Sequence, residues 1–426
     1  MVGIFLFVLF FILLVIGIPI AFVIAIVALA GIATVPFIPE VIVPMKMFNG
    51  LNSFVLLAVP LYILVANLMN SGKISQKLID LSIALAGHVK GGLAYANVIV
   101  SMIFAGVSGA ATADTAGLGK VLIPNMTETG YDSETAVAVT AVSSTIGILI
   151  PPSIPMIIYA GLTNTSVAVL FFAGMVPGIL LGVGLMFVIL LQSVKKDFPR
   201  FERADIRKVY KLIIESLPAL LTPIIIIGGI LTGWYTPTEA AAFASIYALF
   251  IGMFVYRTIK VKDFPEILFE TLKLSSLSLF ALATASALGE LLSYYRMDQV
   301  LLQYLTLFIT NRLMFVAFAI VFFIFIGTFM DIIPAMILFV PVLLPIAVSF
   351  GISAELFGLI TVITLAIGLV TPPYGLCLLV ASSIAHLPVG RAFTAMSSYI
   401  LVILVVLLAV VFFPAIAFFV PNFFGV

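Results

Sequence analysis

The sequence predicts an all-α polytopic membrane protein with inverted structural repeats, two re-entrant helical hairpins and two broken helices. Three observations carry that expectation. Of 426 residues, 64% are hydrophobic and only 9% charged, against roughly 25% charged in a soluble domain. The apolar residues form long runs separated by short polar segments, and glycines and prolines recur at matched positions in the two halves. This composition cannot cover a globule with polar surface, which excludes a soluble enzyme, a nucleic-acid binder and a disordered protein. Nineteen Lys+Arg against eighteen Asp+Glu imply no bulk attraction to nucleic acid or acidic partners. A single cysteine, Cys377, excludes an internal disulfide, and His88 and His386 are too few for a histidine metal centre.

The elements follow in order. The apolar run to Thr34 lacks a basic start, so signal cleavage is not expected. As one helix it would span about 50 Å against a hydrocarbon core of about 30 Å. The Gly17-Ile18-Pro19 break is therefore expected to turn between two short spans. Further apolar stretches lie at 51–70, 91–126, 134–160, 167–192, 213–232, 238–256, 275–293, 313–349, 355–384 and 394–420. Two of these are too long for one span and carry a small or polar break, at 108–112 and 329–334. Re-entrant hairpins over 91–128 and 312–349 fit both, provided that the irregular backbone is buried in protein or lines a wet cavity.

An ungapped shift of 221 residues supports a repeat. It superimposes Gly106 on Gly327, Pro124 on Pro345, Gly130 on Gly351 and Glu134 on Glu355. It also superimposes Gly147 on Gly368 and Pro151-Pro152 on Pro372-Pro373. These residue types set backbone geometry, so the shared spacing means more than matched Leu or Ile. The expected units are 1–211 and 212–426, each with five spans, a hairpin and a broken helix, at 134–160 and 355–384. Five is odd, so the second unit is expected upside down. Charge supports the inversion: fifteen basic residues, Lys73 among them, fall in loops on one side and only Lys46, Arg296 and Arg312 on the other. The positive-inside rule then puts both termini outside. Segments 73–90 and 257–274 mix charged and apolar residues and are expected as interfacial amphipathic arms, with a solvated loop as the alternative.

Chemistry is expected at the four interruptions, because broken helices in inverted repeats hold substrate and ion sites. Each proline removes an amide donor and frees the carbonyl about four residues back. Gly147–Pro152 and Gly368–Pro373 thus expose carbonyl oxygens suited to Na⁺, to which Ser108 and Thr371 can add hydroxyls. Asp114 and Asp331 lie at the hairpin tips inside apolar runs, where an ionised carboxylate is costly and functional by default. With Thr112 they are the candidate substrate-facing residues. Asp114 has a second reading as the cap of a helix start, and Asp331 is a candidate for substrate, a cation or a proton. Glu134 and Glu355 open helices, Glu290 and Arg296 are placed to pair, and Cys377 reads as buried. No GxGxxG, P-loop, HExxH or GxSxG motif occurs, so no enzyme activity is expected.

The blocks IFAGVSGAATADTAGLG (103–119), GYDSETAVAVTAVSSTIGILIPPSIPMIIYAG (130–161) and IGLVTPPYGLCLLVASSIA (367–385) resemble the large membrane (M) subunit of TRAP transporters, the tripartite ATP-independent periplasmic family. The resemblance covers essentially the whole chain. It implies an elevator-type fold like that of the ion transporter superfamily, with a transport domain of about 91–161 plus 312–385 sliding against a scaffold of the remainder. It implies Na⁺-coupled uptake of an organic anion, such as a sialic acid or a C4-dicarboxylate, across a bacterial inner membrane. It also implies a soluble periplasmic binding (P) protein and a separate small four-helix membrane (Q) subunit, with no organic cofactor. The first sodium site would use Ser108 and the carbonyls of Gly147, Ile150 and Pro152. The second would use Gly327 or Thr328, Gly368, Thr371 and Pro373. Under the shift Ser108 faces Phe329 and Asp331 faces Ala110, so the two sites cannot be chemically identical. A stand-alone proton- or ion-coupled carrier, or an ion channel, of the same fold is the alternative.

Overall fold

Side-chain caps and glycine turns decide where the helices of this chain begin and end. The computed structural model describes residues 2–35, 38–72, 74–305 and 307–425, so Lys73, at the head of the first expected arm, lies outside the described residues. Among the described residues every regular element is helical. Seven helices are long and apolar enough to cross a membrane, and five apolar helices of 10–17 residues accompany them. The first two helices, Val2–Val15 and Ile20–Ala33, turn at Gly17 with φ +87.

Both hairpins form. Gly92–Ser108 turns through Gly109, at φ +66, into Ala111–Glu128. Glycine is needed there twice over: the φ is left-handed, and an added Cβ would sit 2.8 Å from the Pro152 carbonyl oxygen. Arg312–Gly327 turns through residues 328–331 into Ile332–Ser349. The helices after the hairpins are both broken. Ser133–Ser144 is capped by Asp132, tightens over Thr145–Ile148, loses helical form through the diproline and resumes as Ile154–Thr163 under a Ser153 cap. Ala354–Leu369, capped by Ser353, breaks at Thr371–Gly375 and resumes as Leu376–Ile384. Both diproline bonds are cis. Glu134 and Glu355 stand in first turns, as a helix dipole favours. Burial alone would push the Asp132 carboxyl up, but hydrogen bonds from Thr135 and Lys196 hold it below the ordinary carboxylate range.

Three expectations need correction. No separate arm spans 257–274, because Phe264–Tyr294 is one helix of 31 residues. Its polar residues do not interrupt it: Thr271 and Ser275 donate to the carbonyls of Ile267 and Thr271 within the helix. The short helix that precedes the second hairpin is Met297–Leu305, which the 221 shift lays on the first arm, Ile74–Ala86. Second, Ile42–Leu51 is a helix that the apolar runs did not signal. It brings Lys46 to 2.8 Å from Glu290, so Glu290 pairs with Lys46 and not with Arg296.

The third correction concerns grouping. Val167–Lys195 and Val389–Phe412, expected in the scaffold, pack instead on the hairpins and broken helices: the former on Gly92–Ser108, the latter on Ser133–Ser144 and Ala354–Leu369, and each on the other. Together these helices make a core group, 92–195 and 312–412. The outer group is 2–86 and 206–305, where Phe264–Tyr294 packs on Ile20–Ala33, Ile42–Leu51 and Ala58–Ser71.

Ion pairs tie each group internally. Lys46–Glu290 and Lys77–Glu215 (2.6 Å) lie in the outer group and Arg391–Glu134 in the core, while Lys196, just past the end of Val167–Lys195, reaches back to Asp132 of the core at 3.1 Å. Lys90–Asp197, at 3.1 Å, joins the two connecting loops. Outside residues 296–306, no side-chain hydrogen bond or ion pair among the described residues joins the outer group to the core. The polar side chains of the outer helices bond within that group instead: Asn67 donates to the Thr271 hydroxyl and Tyr62 to the Pro237 carbonyl. The boundary is made of shape. A Cβ on Gly106 would lie 2.6 Å from Pro223 Cβ, one on Gly161 would lie 2.7 Å from Leu56, and Tyr62 meets Phe171 edge-on.

Candidate functional site

The site is built where the two hairpin turns meet the two helix breaks. A backbone hydrogen bond lashes each break to its hairpin: Ile154 N donates to the Gly109 carbonyl at 3.1 Å, and Tyr374 N to the Thr328 carbonyl at 2.9 Å. Both turns and both breaks are thereby held as single units.

The first unit concentrates unsatisfied oxygen. Ser108 is 1% exposed and Asp114 fully buried. The Ser108 hydroxyl and both Asp114 carboxylate oxygens have no hydrogen-bond partner. They converge on the helix break: a Cβ on Gly147 would fall 2.3 Å from Asp114 Oδ2 and 3.7 Å from Ser108 Oγ. A buried carboxylate without a partner is expensive. Oxygens crowded against a glycine backbone make a donor set for a hard cation. Ser108, Gly147 and Asp114 therefore come together at the break, and Asp114 is not among the residues that line the cavity between the hairpins. Ile150 and Pro152 lie in the same buried break.

The second unit is satisfied. Thr328 donates to Phe325 O and Thr371 to Ile367 O, each at 2.7 Å. Gly327 and Gly368 pack backbone to backbone, so that a Cβ on Gly368 would strike Gly327 at 2.6 Å. The Asp331 carboxylate accepts from Ile332 N at 2.8 Å and caps its own helix. Pro373 sits in the second break, with Tyr374 beyond it at the lash. The second set of residues is brought together, but without an orphaned buried side-chain oxygen among them.

A cavity of about 240 Å³ separates the two hairpin turns from the outer group. The first hairpin contributes Ser108, Ala111 and Thr112, and the second contributes Asp331 and Ile332. Opposite them stand Asn67 and Asn70 of Ala58–Ser71 and Ser278 of Phe264–Tyr294. Thr112 and Asp331 thus line this cavity. Asn67, Asn70 and Ser278 went unread in the sequence, although asparagines three apart within an apolar span carry the signal of a lined pathway. A wider cleft of about 600 Å³ opens by Asp80, Phe201 and Lys208 at the rim, and none of the orphaned buried oxygens lines it.

Residues 7–416 match the family described as "Tripartite ATP-independent periplasmic transporter, DctM component". The chain is 35% identical to the sialic acid TRAP transporter large permease protein SiaM of Vibrio cholerae, over 96% of each chain. It is 36% identical to the C4-dicarboxylate TRAP transporter large permease protein DctM of Pseudomonas aeruginosa, over 89% of each. Among solved structures, the YdaH transporter of Alcanivorax borkumensis has the same fold, with a TM-score of 0.57 at 14% identity, covering 86% of this chain and 88% of that one.

Proposed function

The chain belongs to the DctM family of tripartite ATP-independent periplasmic transporters, and from that premise we propose that it drives sodium-coupled uptake of a small organic anion. The anion is a carboxylate, such as a sialic acid or a C4-dicarboxylate, handed over by a periplasmic binding protein. A separate small membrane subunit completes the complex in a bacterial inner membrane, with both termini of this chain on the periplasmic side.

One observation carries the sodium assignment: three buried, unpartnered oxygens of Ser108 and Asp114 crowd the Gly147 backbone. A sodium ion there supplies the missing charge, and Gly147, Ile150 and Pro152 carbonyls complete its shell. Gly327, Thr328, Gly368, Thr371 and Pro373 are the second, weaker seat. Between the seats, the cavity that Thr112 and Asp331 line receives the anion. The core group, 92–195 and 312–412, moves as one body past the outer group, and the lack of side-chain polar bonds between them among the described residues outside 296–306 supports this elevator motion.

Reconstitution of the chain with its membrane partner and binding protein tests the whole reading. Uptake of labelled N-acetylneuraminate or succinate should follow an inward sodium gradient and vanish when potassium replaces sodium. Uptake that follows a proton gradient in sodium-free buffer would establish the proton-coupled alternative and remove the sodium assignment.

A further inference from the structure

The wall that the outer group presents to the cargo changes in charge along its length. The cavity between the hairpin turns has no basic side chain in its lining, although the proposed cargo is an anion. Two further cavities lie along the same outer helix, Phe264–Tyr294. Toward its start, one of about 280 Å³ shares Asn67 and Asn70 with the central cavity and is bounded by Asp263, Glu266 and Glu270. Toward its end, one of about 330 Å³ is lined by Lys46, Ser286, Glu290 and Ser293 of the outer group and by Pro341 and Pro345 of the second hairpin. Among the described residues, Lys46 is the only basic side chain lining any of the three. The central and end cavities are in line on both walls. Ser278 to Ser286 on the outer helix and Ile333 to Pro341 on the second hairpin are each a step of eight residues, a rise of about 12 Å.

Packing holds Lys46 in place independently of its charge. It lies one turn from Gly50 on Ile42–Leu51, and Gly50 packs so closely on Ser286, one turn from Glu290, that a Cβ there has no room. The Lys46–Glu290 pair, at 2.8 Å, leaves each side chain 35% exposed, and a pair so exposed is weakly held and open to exchange. We propose that Lys46 is a specificity-determining residue that takes the cargo's carboxylate on the outer side. When the core group stands about 12 Å farther out, the hairpin turns are level with residues 286–293, and the carboxylate replaces Glu290 as the partner of Lys46. The inference rests on the organic-anion, elevator and orientation readings above. The wall then passes from a cation outside, through the uncharged Asn67, Asn70 and Ser278, to three carboxylates inside. It attracts an anion at one end of the stroke and repels it at the other.

A thiol in the end cavity reports whether cargo arrives there. Ser293→Cys places one on the exposed wall, and the single native cysteine, Cys377, is buried. This variant, reconstituted with its membrane partner and without binding protein, is labelled from outside with a membrane-impermeant methanethiosulfonate. The buffer contains sodium, and succinate or N-acetylneuraminate is added in rising concentration. Both carboxylates should slow the labelling. Lys46→Gln should raise the half-protecting concentration about tenfold, the loss expected for one hydrogen bond to a charged group. Lys46→Arg, which keeps the charge, should hold it within about twofold. Glu290→Gln frees Lys46 and should leave that concentration equal or lower. A pair that only holds two helices together predicts loss in both Lys46→Gln and Glu290→Gln, so the two variants separate capture from support. Leaving out binding protein removes docking as a cause. Unchanged protection in Lys46→Gln, equal loss in both variants, or no protection at position 293 in a complex that does take up carboxylate overturns the capture assignment alone. A complete complex that takes up neither carboxylate overturns the organic-anion reading and the inference together.

Discussion

The two hairpin-and-break units share a backbone plan and differ in what their side chains leave unpaired. In each, one backbone bond lashes the break to the turn, Ile154 to Gly109 and Tyr374 to Thr328. The first unit then leaves Ser108 and Asp114 bare, whereas the second pairs Thr328, Asp331 and Thr371 internally. One layer farther from the turn the relation reverses. Asn97 donates to Thr140 at 2.7 Å and Ser101 meets Ser143 at 2.9 Å. The 221 shift replaces Asn97 and Ser101 by Phe318 and Phe322, and the counterparts Thr361 and Thr364 are buried without partners. Glycine and proline preserve the path of the chain while the side chains decide which end is chemically active. Similar geometry at the two ends therefore does not imply similar ligands.

Substitutions that even out the two units test this contrast, the largest effect coming first. Asp114→Asn removes the buried charge from the first unit and should raise the half-maximal sodium concentration for uptake roughly a hundredfold, about 3 kcal/mol. Asp331→Asn in the second unit keeps the helix cap, because Asn and Asp cap about equally well, and should leave stability nearly unchanged, with the sodium curve in place. Equal sodium shifts for the two would erase the distinction. Ser108→Ala should shift the same curve about tenfold. Thr371→Val deletes a hydroxyl that already donates to Ile367 and should shift it far less; a larger effect from Thr371 would move the stronger seat to the second unit. The smallest effect concerns stability. Thr140→Val removes the nearer acceptor of the Asn97 amide, leaving only the Met126 sulfur at 3.6 Å, and should cost about 1 kcal/mol in a denaturation measurement, whereas Thr361→Val and Thr364→Val remove hydroxyls with nothing to lose and should be neutral or stabilising. A destabilised Thr364→Val would indicate a partner for that hydroxyl.

Much of the fold was legible because it rests on residues with restricted backbones. Gly17, Gly109 and the two diprolines mark turns and breaks that the helices respect. Ile42–Leu51 was hidden because a short amphipathic segment with Pro44, Lys46 and Asn49 lacks an apolar run. The false arm at 257–274 arose because charge was read as an interruption, although Phe264–Tyr294 holds Thr271 and Ser275 within its own hydrogen-bonding pattern. In the site, Ser108 and Gly147 could be paired from the breaks. The direction of Asp114 could not, since either a cap or a cavity position fits a carboxylate early in a helix. Only the approach of Gly147 in space distinguishes them. Asn67, Asn70 and Ser278 belong to helices far away in sequence, and only the folded chain brings them opposite the turns.

The boundary between the two groups of helices has a consequence for speed. Ion pairs such as Lys46–Glu290 and Arg391–Glu134 lie within the bodies on either side, while the surface between them, away from the cavity, is met by close packing such as Gly106 on Pro223 and Tyr62 on Phe171. If the core group slides past the outer group as proposed, contacts without direction resist it by friction and not by bond rupture, so the activation barrier should contain little enthalpy from broken polar bonds. Friction of that kind is graded by surface relief. In that proposed motion a methyl at Gly106, which would meet the rigid ring of Pro223, should act as a brake, whereas one at Gly161 would meet the movable end of the Leu56 side chain and should matter less.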